Sequence, residues 1–456
     1  MSPVVRFHST NHQDMDKSLA HALLNGQAAD KGLFMPEPIP SFDRRELVRL
    51  SQISYPELAY EVLSRYVDDE FTNEELLGLC HSAYDYPVPL ERVTGRRHVM
   101  RLDQGPTASF KDFAARMMGR MLGRLVKPGE PPLVILTATS GDTGSAVAQA
   151  FAGVDNIAVV VLFPVDEVSD RQRKQMTTIG GNVRTIGVQG KFDDCQAMVK
   201  RAFTDPVVGG IRLSSANSIN IGRLLPQSVY YMHAYLRLAK VTEGERMIIS
   251  VPCGNFGNLC GGLFAQRGGL PVERFVVATN ANDEVPIFFD TAAYNKIEPS
   301  RTCISNAMNV GHPSNLARLV GLYGGHLDEV GILHKAPDME AIRRDMWSTS
   351  VSDAETRACI ARTWKDHGVM LEPHGAVGWA GLERYFEAGL ADKDAVAVSL
   401  ETAHPAKFPD EIISLTGIDP AVPPSLARIE QLTEEYPTIG VDYELFRTML
   451  QDWHGV

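Results

Sequence analysis

Several absences narrow the function classes open to this 456-residue sequence before any motif is read. Long runs of Lys or Arg are missing and the formal net charge is −12, which argues against a nucleic-acid or anionic-membrane surface. The opening MSPVVRFHSTNHQDMDKSLA holds no apolar stretch, so a secretory leader is not expected. The longest apolar run, IAVVVLF at 157–163, is far too short to span a bilayer and about right for a buried strand. Six cysteines (Cys80, Cys195, Cys253, Cys260, Cys303 and Cys359) show no C-x-x-C metal spacing. Cys253 and Cys260 flank a glycine-rich loop without a companion pair, so they read as buried thiols and no metal is expected. Repeats and low-complexity tracts are also missing. Reduced cysteines and no leader give the expectation of a soluble cytoplasmic protein.

What is there is apolar residue in quantity, 44% of the chain, enough for a large core and two or three structural units. The first hundred residues read as mainly helical, with helical spacing in SLAHALLNG, RRELVRLSQISYPELAYEVLSRYV and TNEELLGLCHSAY. The middle reads differently. PPLVILTATSGDTGSAVAQAFAG is a strand, a Gly/Ser/Thr turn and a helix, and MIISVPCGNFGNLCGGLFAQRGG repeats that form. NIAVVVLFP, RFVVATNAN and AVAVSLETAHP add further strands. Apolar strands alternating with helices predict a parallel sheet covered on both faces, with ligands beyond the carboxyl ends of its strands. The helical part is expected to pass into the α/β part within residues 90–107, and PPSLARIEQLTEEYP opens a helical tail.

Five stretches carry candidate chemistry. In PTASFKDF (106–113), Lys111 follows an aromatic residue and a candidate helix cap, Ser109, and sits in a first helical turn. There the helix dipole disfavours a cation and favours Asp112. Lys111 is then either a solvated charge or an amine of lowered pKa kept for covalent chemistry. Beyond it, Phe113, Ala114, Met117, Met118, Met121, Leu122 and Leu125 form an apolar stripe, and Arg116, Arg120 and Arg124 another face. TATSGDTG (137–144) is an anion-binding helix start or an ordinary capped turn; it is neither a Walker A loop nor a dinucleotide turn. PCGNFGN (252–258) allows amides to converge on a phosphate, and two such turns on one sheet suit a phosphorylated cofactor plus an anionic substrate group. NSINIGR (217–223) is a second anion clamp or a capped helix with a surface arginine. In ETAHPAKFP (401–409), Thr402 suits a ring nitrogen, whereas His404 and Lys407 read as structural.

Taken together, PTASFKDF, ATSGDTGSA, NSIN, GNFGN, NANDEVP and TAHPAKFP occur here in the order in which they occur in threonine synthases. The sequence resembles that family over nearly its whole length, and its start resembles the bacterial and fungal branch through a Gly-Leu-Phe-x-Pro run. One departure is Asn309, in NAMNVGHPSN, where an aspartate is expected. The plant-type N-terminal extension that responds to S-adenosylmethionine is not evident. The resemblance implies an α/β enzyme of the fold type II pyridoxal-phosphate group (tryptophan synthase β-like). Two parallel-sheet α/β subdomains are expected, plus a mainly helical N-terminal domain. Residues 1–95 would be that N-terminal domain and 96–420 the cofactor-binding domain, with a smaller mobile subdomain at about 112–225. Residues 421–456 would be the helical tail.

Carried over residue by residue, the resemblance makes Lys111 the lysine that bonds covalently to pyridoxal 5′-phosphate. Gly254, Asn255, Phe256, Gly257 and Asn258 become the loop that holds the cofactor phosphate. Asp142 falls near the cofactor's 3′-oxygen and Thr402 at its pyridine nitrogen. A hydroxyl at the latter place would leave the ring nitrogen largely unprotonated. Asn217, Ser218 and Arg223 match a clamp for the substrate's phosphate, and Ser140 and Thr143 lie near its carboxylate or phosphate. The implied reaction is a lyase-type conversion of O-phospho-L-homoserine and water to L-threonine and phosphate. Lys111 would move protons at Cα and Cβ while phosphate leaves Cγ and water adds at Cβ. The implied partner is that small substrate alone, with no nucleic acid or membrane, on a monomer or homodimer. Two rivals stand beside this reading: a related phospho-lyase yielding 2-oxobutyrate, and a non-catalytic phosphometabolite-binding protein.

Overall fold

In the computed structural model, which describes residues 4–454 except 128 and 140, capping chemistry sets out three of the first helices. Asp43, Ser54 and Thr72 accept from amides three residues on, while Glu46, Glu57 and Glu75 reach back to close capping boxes. These start the helices Arg44–Leu50, Tyr55–Leu63 and Asn73–Ala83. The long helical stretch expected over 44–67 is therefore two helices, because Ser54 and Pro56 restart the chain. An antiparallel pair, Arg6–Ser9 with Phe34–Glu37, adds a small sheet that the helical reading omitted.

Two α/β units follow. Met247–Pro252, Val272–Thr279 and Ala397–Glu401 lie inside a six-stranded sheet, parallel to Arg97–Arg101 and Met346–Ser350. Leu90–Thr94 runs antiparallel at one edge. Leu133–Ala138, Ile157–Pro164 and Val183–Val188 form the middle of a second, all-parallel sheet of five, with Arg212–Ser214 and Thr438–Ile439 outside them. Every residue of Leu133–Ala138 and Met247–Pro252 is buried, the signature of strands covered on both faces. The turns at 137–144 and 252–258, expected on one sheet, thus end strands of different sheets. Each preceding strand finds its ladder partners only within its own unit.

The segment 421–456 ends in the helix Tyr443–His454, as its helical reading requires, but also supplies Thr438–Ile439 as an edge strand. Two residues are too few for any periodicity to reveal. The helix Lys111–Leu125 buries Phe113, Met117, Met118, Met121 and Leu122, as its stripe predicts. Its arginine face meets the N-terminal region: Arg116 pairs with Asp85, Arg120 donates to the Ser82 hydroxyl, and Arg124 pairs with Glu75. Gly119 lets the helix lie close on Asp142–Phe151, since a Cβ there would stand 2.8 Å from the Ala150 carbonyl oxygen. The helix is thereby held between the N-terminal helices and Asp142–Phe151.

Candidate active site

Lys111 is the first residue of its helix, and no side chain caps that helix. Ser109, expected as the cap, sits one residue too early; the capping position is Phe110, in helical conformation. The Ser109 hydroxyl instead lies 3.4 Å from Thr107 Oγ1. Asp112 turns back to the loop ahead of the helix, its carboxylate accepting from the Thr107 amide at 2.9 Å and hydroxyl at 2.7 Å. Burial nevertheless pushes the Asp112 carboxyl up to about 6, against the pull of Thr107. The loop ahead of Lys111 is zipped to the end of strand Ala397–Glu401. Phe110 N donates to Thr402 O at 2.9 Å, and His404 N to Ala108 O at 3.0 Å. Lys111 and Thr402, almost three hundred residues apart, are thus held by neighbouring backbone.

The Lys111 amine has no hydrogen-bond partner among the described residues. Burial pushes it down to about 8; Asp142 pulls it back up, and Arg223 and Lys407 push it further down. A lysine so placed is partly neutral near physiological pH, as carbonyl chemistry needs.

Asp142 opens the helix Asp142–Phe151, where the dipole favours an anion. Its carboxylate accepts from Lys407 Nζ at 2.5 Å and Gln172 Nε2 at 3.1 Å. Burial opposes its charge, but Lys407 and Lys111 together hold it well below the usual carboxylate range. Lys407, read above as structural, is fully buried and also donates to Thr107 O at 3.0 Å. That ion pair draws it into the site. His404 stays a local cap, its Nδ1 accepting from Ala406 N. Thr143 is half-buried on the same first turn as Asp142, and Ser140 lies outside the described residues.

Thr402 is buried with its hydroxyl 3.3 Å from Glu372 Oε1. Glu372 in turn takes the amides of His374 and Gly375, and His374 Nδ1 at 2.5 Å. His374 Nε2 accepts from Ala307 N. Behind Thr402, burial and the Glu372 charge push the Glu401 carboxyl well up. Glu401 opens the ETAHPAKFP stretch, but nothing in the sequence paired it with Glu372, which lies 29 residues earlier and in no motif.

The loop 254–258 joins strand Met247–Pro252 to helix Gly257–Arg267. Phe256 takes the left-handed conformation (φ 60°) at the helix start. Close approach explains both glycines. A Cβ on Gly254 would stand 2.8 Å from Met308 Cα, and one on Gly257 3.0 Å from Ser218 Cβ. Asn258 accepts both tyrosine hydroxyls, Tyr230 and Tyr231, on Oδ1, and its buried Nδ2 has no partner among the described residues. Asn255 bridges Ser218 and Ser314. Ser218 thus stands against this loop, whereas Arg223 faces elsewhere: it donates to Ala216 O, and its charge is felt at Lys111 and Asp112. Arg223 is 3% exposed, so it is no surface arginine, and its Nε has no partner among the described residues. The Asn217 side-chain oxygen is buried and without a partner among the described residues as well. Asn309 accepts from Asn280 and from Cys303 N and donates to Cys303 O, a double role that the expected aspartate cannot fill.

An amine pushed down by burial, an unpartnered buried amide donor and a loop with no room for a Cβ suit a phosphorylated aldehyde cofactor. Comparison with known proteins points the same way. A family profile described as pyridoxal-phosphate dependent enzyme matches residues 87–402. Profiles described as threonine synthase N terminus and threonine synthase, C-terminal, match 6–84 and 375–449. The threonine synthase of Haemophilus influenzae is 37% identical over 451 residues, covering 98% of this chain and 99% of its own. The solved pyridoxal-phosphate-bound threonine synthase of Brucella melitensis superposes with a TM-score of 0.90 at 32% identity, with 99% of each chain covered. The Escherichia coli threonine synthase structure gives 0.87 at 34% identity, covering 98% of this chain and 99% of that one.

Proposed function

The chain belongs to the threonine synthase family, and on that basis we propose that it converts O-phospho-L-homoserine and water to L-threonine and phosphate. It is a pyridoxal-phosphate enzyme. Bound there, the cofactor supplies an electron sink for negative charge developed on an amino-acid substrate. The remaining work falls to the chain's own side chains. Lys111 would bond the cofactor and, once free as an amine, take the proton from Cα and then one from Cβ; as phosphate leaves, a proton goes to Cγ to make the methyl group, and after water adds its hydroxyl at Cβ one is returned to Cα. Its lowered pKa suits both directions of transfer. The amides of 254–258 grip the cofactor phosphate. Asp142, its charge kept by Lys407, would stand at the cofactor's 3′-oxygen, and Thr402 would meet the pyridine nitrogen. Arg223 holds the substrate phosphate as it leaves Cγ, with Asn217, Thr143 and Ser140 at the substrate's anionic groups.

The single observation that carries this reading is the Lys111 amine, pushed down to about 8 with no hydrogen-bond partner among the described residues and next to Phe110, whose amide donates to Thr402 O. Among the described residues no helix is long and apolar enough to cross a membrane. We place the enzyme in the cytoplasm, acting on a small molecule without nucleic acid, as a monomer or homodimer. Incubation of purified protein with O-phospho-L-homoserine, followed by amino-acid analysis, tests the reading: threonine and phosphate in equal amounts are expected. Release of 2-oxobutyrate and ammonia without threonine would overturn it.

A further inference from the structure

Asp112 is a fully buried carboxylate beside Lys111, and the chemistry described so far gives it no work. In a first helical turn the dipole alone favours an acid, whichever way its side chain points. Here both oxygens turn back on one residue of the preceding loop. Oδ2 accepts from Thr107 N at 2.9 Å and Oδ1 from Thr107 Oγ1 at 2.7 Å. Gly105 leaves the room for this, since a Cβ there would stand 2.7 Å from Asp112 Cβ.

The turn so held is not one that the chain adopts by default. Ala108 takes the left-handed conformation (φ 54°), which a side chain disfavours, and its amide closes on Gly105 O at 3.0 Å. Thr107 O receives Lys407 Nζ and Gln175 Nε2, each at 3.0 Å. Thr107 is thus gripped from three directions: by its amide and hydroxyl from the Lys111 helix, and by its carbonyl from 401–409 and from Asp170–Thr177. Of these supports, Asp112 alone shares a helix with Lys111. The charged and titratable groups facing it are Arg116 on its own helix, Lys407, Arg223 and Tyr86.

We propose that Asp112 is a positioning residue for the reaction: its ionised carboxylate locks the strained turn 106–109 and so fixes how the Lys111 amine is presented. This rests on the reading of Lys111 as the residue that bonds the cofactor. The ionised form matters because a neutral carboxyl keeps only one good acceptor for the two Thr107 donors. Burial brings that change within reach of mild acid, at about 6.

The test follows capture of pyridoxal phosphate by stripped full-length protein, read from the visible absorbance, in the parent, Asp112→Asn and Thr107→Val. At about pH 8, Asp112→Asn should capture about tenfold more slowly, because neutral hydrogen bonds replace charge-assisted ones in a turn that must be preorganised. That gap should close as pH falls through about 6, where the parent carboxyl is itself neutral. Protonation of Lys111 and of the cofactor phosphate slows both proteins alike. Thr107→Val keeps the charge and should also capture about tenfold more slowly, and Asp112→Asn added to it should cost less than in the parent. A gap as wide at about pH 5 as at pH 8 would make Asp112 a packing residue and overturn the proposal. So would normal capture by Thr107→Val, or normal capture by Asp112→Asn with a raised KM for O-phospho-L-homoserine, which would assign the carboxylate to Arg223. A parent that captures no pyridoxal phosphate on Lys111 would sink the functional reading itself, whereas a parent that captures it no faster than Asp112→Asn at pH 8 sinks only this proposal.

Discussion

Replacing Lys407 with methionine removes one half of the buried ion pair with Asp142 while keeping most of the side chain's volume. Both partners are shielded from water, 0% and 4% exposed at the side chain, and 2.5 Å apart. Breaking such a pair from one side leaves an uncompensated charge and costs about 3–5 kcal/mol. Here Gln172 still donates to Asp142 and the Lys111 charge still attracts it, so the lower end of that range, about 3 kcal/mol, is expected. Thr107 O keeps the Gln175 donor and adds little to the loss. Asp142→Asn together with Lys407→Met removes both charges and should return to within about 1 kcal/mol of the parent. Urea unfolding gives the global figures. Hydrogen exchange along Asp142–Phe151 reports whether the loss is local. A second readout follows from Lys111. With a repelling cation gone and Asp142 released, its amine should rise from about 8, and each unit of rise cuts the neutral fraction near pH 7 about tenfold. The single variant should therefore recapture pyridoxal phosphate more slowly than the parent at pH 7 and equally fast at high pH. A loss below about 1 kcal/mol in the single variant, or a double variant no better than the worse single, would refute the buried-pair reasoning.

The remaining expectations concern the same site. Capture of pyridoxal phosphate by stripped protein should accelerate as pH rises through about 8, below the ordinary lysine value of 10.5, and borohydride should fix the label on Lys111. Because the folded-state value is depressed, this lysine opposes folding at neutral pH, and that penalty fades between about pH 8 and 10.5. Gly254→Ala should impair cofactor retention more than Gly257→Ala. The new Cβ meets backbone at Met308 in the first case and the Ser218 side chain in the second; equal retention measured by absorbance would contradict this. Arg223→Lys should lower kcat/KM for O-phospho-L-homoserine about a hundredfold, roughly 3 kcal/mol, with the resting absorbance unchanged, since a lysine cannot reproduce a buried guanidinium. Near-normal kinetics would remove Arg223 from the substrate site.

Local signals in the sequence were read well where the physics is local. The helical spacing of TNEELLGLCHSAY, the methionine stripe after Lys111 and the apolar run 157–163 each reappear as the element expected. The Lys111 and glycine-loop motifs were equally visible, because a close backbone approach demands glycine at a fixed place. What escaped was long-range. Lys407 looked structural because nothing near it in sequence announces Asp142. Ser109 looked like a cap because serine before a helix usually is one, and the pairing of Ser109 and Phe110 with Ala403 and Thr402 that sets the chain there is tertiary. Arg318 went unnoticed, since an arginine in an apolar helix normally turns to solvent and only the folded chain shows that it does not.

The edge strand Thr438–Ile439 has a consequence for biosynthesis. Val183–Val188 has its ladder partner Ile157–Pro164 on one side as soon as it leaves the ribosome. Its other side waits for residues roughly 250 positions downstream. At about 5–20 residues per second, that interval lasts on the order of ten to fifty seconds. Throughout it a nascent chain presents an unpaired strand edge, with the apolar surfaces later covered by Tyr443, Phe446 and Leu450 still bare. Crowded ribosomes translating the same message would bring several such edges together, so the interval is the one in which this polypeptide most needs a chaperone.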